Sequence, residues 1–142
     1  MSLINLSSVL SCNNIDIARN SPSAIVLLTN FTYGVNVSLS NIAEVDLPAL
    51  ENLESGNLLL SNNSFETFLV PNLNFVGSLH IIDNPQLATI KFPNLQQIGG
   101  FGTPSGDMVV TGNPLLQGIV MNQVLWIDGS VVLTGNLSTY VH

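Results

Sequence analysis

The chain has 142 residues, 46% of them hydrophobic, which is enough to bury one core without calling for a second domain. Only 8% are charged, and Arg19 and Lys91 stand against nine carboxylates for a formal net charge of −7. Neutralising phosphates takes several Lys or Arg, so nucleic acid and anionic membrane surfaces are poor partners, and no run approaches the roughly 20 apolar residues of a membrane-spanning helix.

Met1 to Leu10 lacks the basic start and continuous apolar middle of a signal peptide. Residues 1–13 therefore read as a cap or frayed end. Cys12 stands alone, which leaves neither a disulfide nor a cysteine-based metal cluster and suggests a buried, inert thiol. Ile15 with Ile17, then Val37 with Leu39, are the first alternating apolar pairs, the period of a strand with one buried face.

From residue 42 the pattern becomes regular. Apolar residues recur in steps of three, two, three and three: Ile42, Val45, Leu47, Leu50, Leu53; Phe65, Phe68, Val70, Leu73, Val76; Leu87, Ile90, Phe92, Leu95, Ile98; Leu116, Ile119, Met121, Val124, Ile127. After each block comes another alternating pair: Leu58 and Leu60, Leu79 and Ile81, Met108 and Val110, Val131 and Leu133. Pro48, Pro71 and Pro93 interrupt the blocks and deny them an ordinary helix. The prediction is an all-β right-handed parallel β-helix, a β-solenoid of about six coils of about 22 residues, each coil a strand, a turn, a short strand and a turn. It occupies 1–142 as one domain, with regular coils over 35–136 and residues 137–142 as the second cap.

An Asn follows the second strand hydrophobe by three residues in five of six coils, at Asn20, Asn63, Asn84, Asn113 and Asn136, with Ile42 the exception. An Asn at a tight corner can turn inward and bond the backbone of its own and neighbouring coils, so these read as a structural ladder. Gly99 to Asp107 lengthens one coil. Its spacing is not that of a phosphate loop, and no Lys follows, so residues 99–107 read as an extruded surface loop. Asn-x-Ser/Thr sequons at Asn5, Asn30, Asn36, Asn62 and Asn136 lean toward a secreted glycoprotein.

The phrases Phe92-Pro93-Asn94-Leu95-Gln96-Gln97-Ile98-Gly99-Gly100, Pro71-Asn72-Leu73, Asp83-Asn84-Pro85 and Thr111-Gly112-Asn113-Pro114 sit within residues 42–136. That region resembles the receptor L-domain-like, leucine-rich-repeat-like repeats of fungal cell-wall proteins, the family of sporulation-specific and glycosylphosphatidylinositol-anchored wall proteins. The resemblance implies a secreted, N-glycosylated, non-catalytic chain at the cell wall or cell surface. The family's cysteine pairs and lipid-anchor tail are not seen in these residues.

An enzyme is not expected. Glycan chemistry on a β-helix needs converging carboxylates, usually with a base or a calcium ion, whereas Asp83, Asp107 and Asp128 fall in different columns. His80 lies outward with no second His or Cys beside it, so neither a metal site nor any cofactor is expected.

If the alternating pairs point inward, one outward column reads Asp16, Ser38, Leu59, His80, Val109, Val132, and its neighbour reads Ala18, Ser40, Ser61, Ile82, Thr111, Thr134. Leu59, Ile82, Val109 and Val132 then form an exposed apolar patch around His80, Thr111 and Thr134, the candidate binding face for a protein or glycan or for a second copy. Strand propensity alone would place the same β-branched residues there. Phe75 and Trp126 fall on the outside with Gln97 between them and could stack on sugar, although Trp126 would equally serve as a cap on the core. A homodimer through the sheet face or the coil ends is a further expectation. A purely structural wall glycoprotein, an ice-binding Ser/Thr column interrupted by Ile82, and a carbohydrate-active β-helix are the alternatives.

Overall fold

The computed structural model describes residues 2–18, 23–100 and 106–134. Among them there is no helix; they form fourteen strands, β1 (Ser2–Asn5), β2 (Ser11–Ala18), β3 (Ala24–Leu27), β4 (Tyr33–Ser40), β5 (Glu44–Asp46), β6 (Asn52–Ser61), β7 (Thr67–Leu69), β8 (Phe75–Ile82), β9 (Thr89–Lys91), β10 (Gln97–Ile98), β11 (Met108–Thr111), β12 (Gly118–Val120), β13 (Trp126–Ile127) and β14 (Val131–Leu133). Long and short strands alternate along the chain. The long ones stack as β2, β4, β6 and β8, and the last two coils continue the stack as the pairs β10/β11 and β13/β14. The short ones form two three-stranded sheets, β1-β3-β5 and β7-β9-β12. Every pairing is parallel.

This is the β-solenoid that the repeat predicts. Ile17, Leu39, Leu60, Ile81, Val110 and Leu133 stand one above another. The stepped apolar residues all turn inward, and Leu50, Leu53, Leu73, Val76, Leu87, Ile90, Phe92, Leu95 and Ile98 are completely buried. Phe68 lies at the centre of a small aromatic stack, 5.4 Å from Phe65 and 5.9 Å from Phe92 between ring centroids. Like sits over like because the backbone donors and acceptors of the strands are met by the coils beside them, which fixes register along the stack.

Two details refine the predicted coil. The long strand bends into two limbs, and backbones approach so closely at the bend that side chains are excluded. A Cβ on Gly77 would lie 2.4 Å from the carbonyl oxygen of Gly56. At this bend β6 carries two residues more than its neighbours, since Tyr33 pairs with Asn52 while Val37 pairs with Leu58. Second, the corners after β4, β6, β8 and β11 are left-handed: Asn41, Asn62 and Asp83 have φ near 55° and Gly112 has φ 67°. Asn, Asp and Gly are the residues that enter this region at least cost.

Several expectations are corrected. Ser2–Asn5, assigned to a cap, is a strand in register with β3, and Ile4, Leu6, Val9 and Cys12 pack on the core. Cys12 is half-buried rather than buried, its thiol 3.5 Å from the carbonyl oxygen of Asn14. Val131, expected inside, is 51% exposed, and its partner Leu133 is half-buried. Both belong to the last described coil, where the core has a neighbour on one side only. Of residues 99–107, the two ends are described. Gly99 and Gly106 touch, a Cβ on Gly99 reaching within 2.5 Å of Gly106 Cα, so the segment leaves and rejoins the coil at one point. Residues 101–105 lie outside the described part, as do Asn20, Asn136 and 137–142.

Candidate functional site

The outer face of the long sheet is built by alternation. Where Leu58, Leu60, Leu79, Ile81, Met108 and Val110 face the core, the residues between them must face away. The structure brings the predicted columns together in full register: Asp16 pairs with Ser38, Ser38 with Leu59, Leu59 with His80, His80 with Val109 and Val109 with Val132. Beside it run Ala18, Ser40, Ser61, Ile82 and Thr111, and Thr134 joins through its N–H, which donates to the Val110 carbonyl at 2.9 Å.

The exposure of this face differs from expectation. Leu59, His80, Ile82, Val109 and Thr111 are half-buried, and only Val132 and Thr134 are exposed. Side chains about 4.8 Å apart on a flat parallel sheet shield one another, so a column buries its members by its own regularity. The surface is still one of mixed polarity, polar at Asp16 and Ser38, with Leu59, Val109 and Val132 apolar around His80 in the same column.

The upstream limb carries a second outward column that the sequence showed only in part. Ser11 pairs with Tyr33, Tyr33 with Asn52, Asn52 with Phe75, Phe75 with Gln97 and Gln97 with Trp126. Phe75 and Gln97 match the outward column expected from the sequence, whereas the reading of Trp126 as a cap on the core is corrected; Tyr33 and Asn52 are additions to the column. In this coil the inward partner after Tyr33 is Gly34, buried against Phe31 and Leu53, so no apolar pair announces the strand. Trp126 is 58% exposed and Tyr33 44%, which places Trp126 on the surface and not over the core. The Gln97 side chain donates to the Gly99 carbonyl at 2.9 Å.

The asparagines hold these faces in place. Asn63, Asn84 and Asn113 are buried. The side-chain oxygen of each accepts a backbone N–H of the preceding coil, from Ile42, Asn63 and Asn84 respectively at 3.0, 3.0 and 2.9 Å. Their amide nitrogens donate to the carbonyls of Leu39, Leu60 and Ile81. Ile42, the exception in the series, is thus the foot of the ladder. Two further ladders went unread. Asn30, Asn72 and Asn94 donate to the carbonyls of Ser7, Pro48 and Pro71, each at 2.7 Å, which gives the Pro-Asn-Leu phrase its structural role. At the bend, Asn36 donates to the Asn14 side chain at 2.8 Å and accepts the Asn57 N–H at 2.9 Å.

The sequons therefore differ. Asn62 is exposed at a left-handed corner, and Asn5 is exposed with its side-chain oxygen accepting the Ser7 N–H at 3.0 Å. Asn30 is exposed but bonded, and Asn36 is half-buried within β4 with both amide atoms engaged. Among the described residues no group of three or more His, Cys, Asp or Glu is arranged to hold a metal ion. Asp83 stands beside Gly112, Asp107 accepts the Ser130 N–H at 2.7 Å, and Asp128 lies beside Gly99, three separate columns. No helix of the described residues is long and apolar enough to cross a membrane.

No family model matches the chain, and no solved structure does. Among curated proteins, it is 35% identical over 86 residues to Protein ecm33 of Aspergillus fumigatus, covering 61% of this chain and 21% of that protein. It is 27% identical over 126 residues to a Cell surface GPI-anchored protein of Arthroderma benhamiae, covering 88% of this chain and 31% of that protein. The chain thus spans between about a fifth and a third of the length of these relatives. The likenesses support the kinship with fungal GPI-anchored cell-surface proteins that the repeat phrases indicated, and with it a place at the cell surface or wall.

Proposed function

We propose that the chain is a non-catalytic, receptor L-domain-like recognition module of the cell surface or wall, which binds a protein or glycan through the outer face of its long sheet. The observation that supports this is the unbroken outward column from Asp16 to Val132, in which Leu59, Val109 and Val132 are apolar while the inward column beneath them already fills the core. Apolar side chains in excess of what the core needs are a mark of a partner surface. The test is retention on a fungal cell-wall fraction. The double variant Val109→Glu, Val132→Glu should lose retention with an unchanged circular dichroism spectrum; unchanged retention would remove the patch from the reading. Size-exclusion of the same pair tells whether a second copy uses this face.

A second reading, a purely structural wall glycoprotein, is favoured by the three side-chain ladders, which tie coil to coil beyond the backbone bonds. It predicts glycan on eukaryotically expressed material and no saturable partner.

A further inference from the structure

The column Ser11, Tyr33, Asn52, Phe75, Gln97, Trp126 alternates aromatic and amide from Tyr33 onward, in register through five coils. Its aromatics are two coils apart, about 9.6 Å at the spacing of neighbouring strands, and Tyr33 to Trp126 spans about 19 Å. No Asp, Glu, Lys or Arg lies in the column, although the chain carries a net charge of −7. At the adjacent corner it is flanked by exposed Glu51 and Gln96, two coils apart, and the carboxylate of Glu51 adds to the bar against an acidic ligand.

We propose that this column is a subsite track for a neutral, extended β-1,4-linked hexopyranose chain, lying across the coils with alternate sugars over Tyr33, Phe75 and Trp126. Three features carry the assignment. An extended chain of this linkage advances by about 5 Å per sugar, close to the strand spacing of about 4.8 Å, so the ring-to-ring interval of the column falls near every second sugar. Aromatic rings pack on the apolar face of a pyranose, while the Gln97 side chain, held in place by its nitrogen's bond to the Gly99 carbonyl, turns its amide oxygen to a hydroxyl. A column without formal charge suits a neutral ligand rather than a phosphorylated or acidic one. β6 bulges by two residues between this limb and the Leu59–Val132 patch, which keeps the two surfaces apart.

The inference rests on the recognition reading and deepens it, but the two fail separately. Trp126 is the only tryptophan, so its emission reports on the track directly. Titration of the full chain with cellohexaose and with chitohexaose should change that emission saturably, with affinity at least tenfold above the corresponding disaccharides. Phe75→Leu should lower hexaose affinity about tenfold, the order expected for one aromatic contact, while Phe75→Tyr retains it. Tyr33→Ala should weaken the hexaose and leave the disaccharide unchanged. No response to either hexaose, an equal response to disaccharide and hexaose, or an equal response to maltohexaose, whose α-linkages coil the chain, overturns the track. Wall retention that is abolished by Val109→Glu, Val132→Glu in a protein that ignores both hexaoses leaves the recognition reading standing without it.

Discussion

The side-chain oxygen of Asn113 accepts two hydrogen bonds from Asn84, one from its backbone N–H at 2.9 Å and one from its side-chain amide at 3.1 Å. Asn84 does the same for Asn63 at 3.0 Å each. A single carboxamide therefore satisfies two donors in the coil before it, in a site closed to water. Removing Asn84 takes the acceptor from the Asn63 backbone N–H and side-chain amide, and the amide donor from the Leu60 and Ile82 carbonyls.

Asn84→Ala should accordingly cost about 3 kcal/mol or more, the sum of several buried groups left unpaired. Asn84→Asp should be at least as damaging at neutral pH, because it places an oxygen against the Leu60 carbonyl to which Asn84 now donates at 3.1 Å. Urea unfolding followed by circular dichroism checks both. A midpoint equal to that of the parent protein for Asn84→Ala would show that the ladder is not a stabilising feature.

The left-handed corner gives a second prediction. A Cβ on Gly112 would lie 1.9 Å from a carboxylate oxygen of Asp83, and the backbone there has φ 67°. Gly112→Ala should lower stability by about 1–2 kcal/mol, with part of the loss recovered when Asp83→Gly is added. Asn62→Gly, at the same corner two coils earlier, should be within about 0.5 kcal/mol of the parent, since glycine enters this conformation freely. Thermal melts of the four proteins decide it.

Adjacent residues of β6 should respond in opposite ways. Leu58 and Leu60 are fully buried while Leu59 points out. Leu60→Glu buries an unpaired carboxylate and should prevent folding; Leu59→Glu should leave the folded state within about 1 kcal/mol of the parent. Expression level and a melting curve are enough to tell. Equal damage from both would mean that the register of the long sheet is wrong.

Glycan occupancy should rank the sequons. Asn62, exposed at its corner, should be well occupied in eukaryotic expression, and Asn36 least, since its amide is committed to Asn14 and Asn57 inside β4. Peptide mapping by mass spectrometry measures this. Full occupancy at Asn36 with a normally folded product would show that the bend ladder is dispensable.

The sequence by itself determined the coil. Steps of three, two, three and three with prolines between them admit no helix, and alternation at Leu58 and Leu60 or Leu79 and Ile81 tells inside from outside, because a strand shows one side chain in two to each face. The buried asparagine column followed from spacing alone, since only a corner residue returning once per coil can serve every coil alike. The sequence did not show that Ser2–Asn5 is a strand or that the long strand bends at Gly56 and Gly77. These depend on which backbone lies against which, and a bend without a side chain leaves no periodic mark. The same holds for the outward faces. Core residues repeat because the interior is continuous, so their type is constrained at every coil, whereas outward residues share no such constraint. Tyr33, Asn52, Phe75, Gln97 and Trp126 are separated by 19 to 29 positions and became one column only when inter-coil hydrogen bonds fixed their register.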